Sequence, residues 1–209
     1  MIAFLHTSKN LIERFENLVR KFNKDIDINH FVNENLLKNA LENDETDSIS
    51  FKKEVDEIRK YKPNLVVCTC STYGELSEEN GVLRIDEPIV RHIVGNYGRV
   101  GLVYTANSTK TVSANLIVKL AAELNKNVEI IYCDCSSYWS HFESKDLVAY
   151  EKGIAEKIKS IVPKVDVVFL AQASMEGAKT YLDDIGIEVF SSPEFGIQEF
   201  LWKADLGYK

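Results

Sequence analysis

Apolar residues along the chain fall into two alternating spacings. Short apolar runs that read as buried strands occur at Ile2–His6, Ile26–Val32, Leu65–Cys70, Val100–Thr105, Val128–Cys133, Val167–Ala171 and Ile187–Phe190. Between most of them the period lengthens. Leu11, Ile12, Phe15, Leu18, Val19 and Phe22 keep the i, i+3/i+4, i+7 spacing of an amphipathic helix, and Leu116, Ile117, Leu120 and Leu124 repeat it. Strands alternating with helices predict parallel sheets joined by right-handed crossovers, so the fold class expected is α/β.

The strand pattern also repeats. "IAFLHTS" from Ile2 is similar to "VGLVYTA" from Val100, and "NLVVCTCSTYG" from Asn64 to "DVVFLAQASME" from Asp166, shifts of 98 and 102 residues. Two landmarks in the same order at nearly one separation indicate an internal duplication. We therefore expect two pseudo-symmetric Rossmann-like lobes, residues 1–96 and 97–194, with the break in "VGNYGRV"; if they face each other, their strand tips line one cleft, the expected active site. The last helix, 195–209, is expected to cross back to the first lobe.

Ligands of open parallel sheets bind beyond the carboxyl ends of the strands. In the first lobe those ends carry Thr7, Ser8, Cys70, Ser71 and Thr72; in the second they carry Thr105, Asn107, Gln172, Ala173 and Ser174. Small polar side chains beside helix starts suit a carboxylate, held by N–H groups and hydroxyls without an arginine. Thr7, Ser8, Ser108 and Thr109 also read as simple helix N-caps, and capping does not exclude ligand contact. Cys70 stands apart, because a strand end next to a glycine-containing turn can leave a thiol accessible and lower its pKa. Cys68 and Cys133 read as small core side chains, and Cys135, in "DCSSYWSHF", as an exposed thiol without a role.

Composition narrows the partners. The net charge of −7, with lysines and arginines scattered, argues against nucleic acid and anionic membranes. No apolar run reaches membrane-spanning length and "MIAFLHTSKN" lacks a basic region before its apolar run, so a cytoplasmic protein is expected. Neither phosphate-loop nor dinucleotide glycine motifs occur. The four cysteines form two C-x-C pairs, which leaves a thiolate-bound metal as an alternative, although metal ligands favour C-x2–4-C spacing on loops. Of the four histidines only His6 is expected near the strand tips, and nothing in the sequence places an Asn or Asp behind it for a cysteine–histidine pair.

With these residues in view, "CTCSTYG" around Cys70 resembles the first catalytic-cysteine motif of the aspartate/glutamate/hydantoin racemase superfamily, and "VVFLAQASM" resembles the second. "HTS", "RIDEP", "VGLVYTANST" and "SSPEFG" fall where less characterised branches have similar segments, so the resemblance spans nearly the whole chain. It implies two α/β lobes, no cofactor, and one thiolate removing an α-proton while a second thiol protonates the opposite face. It also implies a small carboxylate or amino-acid-like substrate; a homodimer is the assembly allowed for.

The departure lies at Gln172, which occupies the second cysteine's position, and no cysteine follows it. A glutamine amide neither accepts nor releases protons near neutral pH. The two-thiol mechanism therefore cannot run in its usual form. What remains is thiolate addition to an activated double bond, or a lone acid/base in an isomerase, decarboxylase or lyase step. A non-cysteine group on the other face, with Ser174, His6 or Asp86 as candidates, is the third route. Asp86 reads equally as an acid at a helix start. A non-catalytic carboxylate binder stays open beside these.

Overall fold

Every residue of strand β1 (Ile2–His6) is buried, as expected of a central parallel strand with a neighbour on each edge. The computed structural model that shows this describes residues 1–43 and 45–205, and the last residues of the helix expected over 195–209 lie outside the described residues. β2 (Ile28–Val32) and β3 (Leu65–Cys68) flank β1, and the two-residue strand β4 (Leu83–Arg84) closes the sheet in the order β2-β1-β3-β4, all parallel. A second sheet uses β5 (Arg99–Tyr104), β6 (Glu129–Asp134), β7 (Val167–Leu170) and β8 (Glu188–Ser191) in the order β6-β5-β7-β8, also parallel.

Parallel neighbours need crossovers, and helices supply them. α1 (Ile12–Phe22) joins β1 to β2, turning Phe15 and Val19 inward; α2 (Glu34–Asn43) and α3 (Ser48–Arg59) lead to β3; α4 (Gly74–Glu79) leads to β4. In the second sheet α6 (Asn107–Glu123) joins β5 to β6, and α7 (Trp139–Glu143) and α8 (Leu147–Ile161) lead to β7. A 3-10 segment, Ala173–Tyr181, leads to β8. α5 (Glu87–Asn96) follows β4, and α9 (Ser192–Asp205) follows β8.

The described chain divides into two compact units, Met1–Pro88 with the chain from Pro193 on, and Ile89–Ser192. Each has an apolar core. In the first, Leu5, Leu36, Phe51, Val55, Ile58 and Tyr73 pack together, with the Phe51 and Tyr73 rings stacked at 5.1 Å. In the second, Val103, Ile154, Ile158, Val168, Leu170 and Met175 do so. Each such large side chain contributes on the order of 1.5–3 kcal/mol by leaving water.

Strand register supports the duplication read from the sequence. Ile2 pairs with Leu65 in the first sheet as Val100 pairs with Val167 in the second, so the shifts of 98 and 102 residues recur in the pairing. The same register makes Cys70 and Gln172 equivalent. Both stand two residues past their strand, in extended backbone, as the cap of a 3-10 turn. β4 was not visible in the sequence, because two residues show no period.

Candidate functional site

In the first unit the strand-end turn is built around Cys70. Tyr73, fully buried, anchors it: its hydroxyl donates to the Leu36 carbonyl at 2.9 Å and accepts from the Asp47 amide at 3.3 Å. That fixes the 3-10 turn Ser71–Tyr73 and with it the direction of the preceding thiol. Cys70 is partly exposed, whereas Cys68 is buried. Its apolar surroundings push the thiol pKa up, and hydrogen bonds from the Thr7 and Thr72 side chains and from the Thr72 and Tyr73 amides only partly oppose this. The expectation of a depressed pKa is therefore corrected: desolvation outweighs the donors. Thr7, Cys70 and Thr72 come together, and beside them the Ser71 hydroxyl is buried without a hydrogen-bond partner. Ser8 caps its own turn instead, accepting from the Asn10 amide at 3.4 Å.

The glycine that ends "CTCSTYG" has a specific neighbour. A Cβ on Gly74 would fall on the guanidinium of Arg84. Arg84 is buried and gives Asp86 two hydrogen bonds, 2.7 Å and 3.0 Å, and Glu78 a third at 3.3 Å. Asp86 is fully buried with both carboxylate oxygens taken, so it is a partner of Arg84 and not a free acid. In the second unit the equivalent positions are Glu176 and Ser191, where the Ser191 hydroxyl donates to the Glu176 carboxylate at 3.1 Å. The long side chain enters from the strand in one unit and from the turn in the other.

The second unit's strand ends bring together Thr105, Gln172, Ser174 and one residue that the sequence did not suggest, Tyr150. The Gln172 amide oxygen accepts from the Thr105 amide at 2.7 Å and from its hydroxyl at 2.8 Å. A backbone N–H can only donate, so the side-chain orientation follows: the oxygen faces Thr105 and the NH2 group is left to donate elsewhere. The Tyr150 hydroxyl lies 3.2 Å from that of Ser174, and burial raises its pKa, so it stays a neutral phenol. Ala173 is buried and contributes backbone alone, and Asn107 is exposed. α6 begins at an extended Ala106 with no side-chain cap, so Ser108 and Thr109 do not fill the capping role expected of them. The start of this 17-residue helix carries partial positive charge.

One further expectation changes. Cys135 is fully buried, not exposed, because the turn after β6 folds it under Tyr150. Its sulfur lies 4.0 Å from that of Cys133; their hydrogen bond lowers the Cys133 pKa and raises that of Cys135. His6 stands at the end of β1, and its ring nitrogens bond Thr69 at 2.8 Å and His30 at 2.8 Å. Among the described residues no group of three or more His, Cys, Asp or Glu side chains is placed to hold a metal ion. Nor is any of their helices long and apolar enough to cross a membrane.

No family model matches the sequence, and no curated protein matches it. Solved structures do match. Aspartate racemase from Picrophilus torridus gives a TM-score of 0.75 at 16% identity over 98% of this chain and 94% of its own. A glutamate racemase isoform from Bacillus anthracis gives 0.73 at 13% identity over 100% and 82%. A variant of arylmalonate decarboxylase gives 0.59 at 13% over 100% and 94%. Two four-stranded parallel sheets with equivalent strand ends are thus a fold shared with these two racemases and the decarboxylase variant. At these identities the likeness establishes the fold, and the chemistry has to be argued from the side chains.

Proposed function

We propose that the protein is a racemase-like, cofactor-independent enzyme that moves a proton at the carbon next to a carboxylate of a small substrate, with Cys70 as its one proton-transfer thiol. The observation that carries the reading is the orientation of Gln172. With its oxygen engaged by Thr105, its NH2 group is a fixed hydrogen-bond donor. Such a donor favours negative charge on a carboxylate or enolate oxygen, while offering no proton for transfer.

The raised pKa of Cys70 gives the step a direction. The resting group is a thiol, so its first act is to donate. In a decarboxylation the C–C bond electrons pass to an enolate as carbon dioxide leaves, the thiol protonates the carbon, and water restores the thiol. In a one-base isomerisation the thiol first gives its proton to water, and the thiolate so formed takes the α-proton and returns it to a different carbon of the enolate. Both need only one thiol, with Thr7, Thr72 and the turn amides stabilising the thiolate while it exists. The neighbours named racemases and a decarboxylase support proton transfer at carbon as the common chemistry.

The test is a thermal-shift screen of small mono- and dicarboxylates, amino acids and substituted malonates. A ligand at a hundredfold excess over Kd adds about 2.7 kcal/mol to stability. Hits are then incubated in deuterated water with wild type and Cys70→Ser. Deuterium appearing at the α-carbon with wild type alone supports the reading. Binding without exchange or carbon dioxide release would make the protein a carboxylate binder and sink the enzyme.

A further inference from the structure

A chain of hydrogen bonds runs from the residue before Cys70 to a half-exposed carboxylate. The Thr69 hydroxyl lies 2.8 Å from His6 Nδ1, His6 Nε2 lies 2.8 Å from His30 Nδ1, and His30 Nε2 lies 3.1 Å from Glu16. Glu16 in turn accepts from Arg20 at 2.8 Å. His6 is fully buried and the His30 side chain is 11% exposed, against 39% for Glu16. The two imidazoles stack at 5.0 Å, and the rings of Phe4 and Phe15 pack on His6. The charged or titratable groups facing the pair are Glu16 and Arg20 from α1 and the histidines themselves on β1 and β2.

Only two proton arrangements satisfy every group while Glu16 stays ionised and His6 stays neutral. In one, the Thr69 hydroxyl donates to His6, His6 Nε2–H donates to His30, and His30 Nε2–H donates to Glu16; both rings are neutral. In the other, the Thr69 hydroxyl turns to the Leu5 carbonyl, 3.3 Å away, and His6 donates from Nδ1 to Thr69. His30 then donates from both nitrogens and carries one extra proton. The second form differs from the first by that proton and by the tautomer of His6. Burial lowers the His6 pKa to about 3, with repulsion from His30 adding to it, so His6 is neutral in both.

We propose that Thr69, His6, His30 and Glu16 form a relay that stores one proton behind Cys70 and makes the reactivity of its thiol depend on pH, with His6 and His30 as positioning residues. The link is short in sequence and in space. His6 and Thr69 clasp the ends of β1 and β3, and the next residues, Thr7 and Cys70, are hydrogen-bonded to each other. Uptake of the proton turns the Thr69 hydroxyl away from His6 and so changes the clasp on which the Thr7 donor rests. Only this last link rests on the reading of Cys70 as the reactive group.

Imidazole 15N chemical shifts of the full chain, followed from pH 8 to pH 5, test the relay without any substrate. His6 should change from the Nε2–H to the Nδ1–H tautomer at the pH where His30 gains its second proton, and in His30→Gln it should not change. A His6 that keeps one tautomer through the titration of His30, or that becomes doubly protonated with it, would overturn the relay. Should His30→Gln fail to fold, Glu16→Gln on the half-exposed end replaces it. The expected result is a transition at lower pH, and an unmoved transition counts against the proposal. Alkylation of Cys70 by iodoacetamide over the same range checks the link. A second inflection at the histidine transition, absent from the variant, is expected; a tautomer change with no such inflection would detach the relay from Cys70. A failure of every carboxylate to turn over would bear on the proposed enzyme and leave this titration unaffected.

Discussion

Thr105 gives both its backbone N–H and its hydroxyl to the same amide oxygen of Gln172, at 2.7 Å and 2.8 Å. The glutamine is thereby held with its NH2 group as the hydrogen-bond donor. The lock decides what can replace it.

Gln172→Glu keeps an oxygen for Thr105 and turns the second polar atom into an anion. Affinity for any carboxylate found in the screen should fall at least tenfold, the loss of one charge-assisted hydrogen bond of about 1.5–3 kcal/mol with repulsion added. Gln172→Met removes the donor without adding charge and should lose less. Calorimetric titration of the three proteins gives the order. Equal affinities would mean that Gln172 does not face the ligand.

Arg84 and Gly74 form a size-matched pair. Gly74→Ala drives a methyl group into a guanidinium already held by Asp86 and Glu78, and should destabilise by about 1–3 kcal/mol. Arg84→Met strands the fully buried Asp86 and should cost about 3–5 kcal/mol, much of it recovered by adding Asp86→Asn. Urea denaturation of the single and double variants measures this. No recovery in the double variant would show that packing, not stranded charge, sets the cost.

Cys70 should be the cysteine alkylated in native protein, because Cys68, Cys133 and Cys135 are buried. Its raised pKa makes the reaction slow at neutral pH and steadily faster on the alkaline side. Pulse labelling with iodoacetamide at several pH values, read by mass spectrometry, tests both parts. Fast labelling that is flat above pH 7 would contradict the raised pKa.

Acid should weaken the fold through His6. Its folded pKa of about 3 lies below the ordinary 6.5, so on acidification the unfolded chain binds a proton at this site before the folded one does. The stability that neutral His6 contributes is complete above about pH 6.5 and is lost as pH falls toward 3, at about 1.4 kcal/mol per pH unit. Denaturation midpoints between pH 7 and 4 should therefore fall less steeply in His6→Gln. An unchanged slope would mean that His6 takes up its proton without unfolding.

Much of this architecture was readable from the chain because its strands are apolar throughout. Seven runs marked seven of the eight strands among the described residues, and four of them, matched in two pairs, carried the duplication at the correct register. β4 was hidden by its length. The pairings that shape the strand ends were hidden for another reason. His6 meets His30 across the β1–β2 edge, Arg84 meets Gly74 across a turn, and Tyr150 reaches Ser174 from a different helix. No local spacing records contacts of that kind. Cys135 misled because polar neighbours suggested a surface loop, whereas the 3-10 turn that follows buries it. The pKa of Cys70 misled because the sequence reveals donors near a thiol but not the desolvation that opposes them.

The exchange of size between Gly74–Arg84 and Glu176–Ser191 sets a rule for recombining the two halves of this gene. Transplanting the first turn into the second unit would bring a glycine opposite Ser191 and leave an unfilled pocket. The reverse graft would set a glutamate against Arg84, already shared by Asp86 and Glu78, in space that a glycine leaves for the guanidinium. Working chimaeras must carry strand and turn together, so each pair travels as one inherited module.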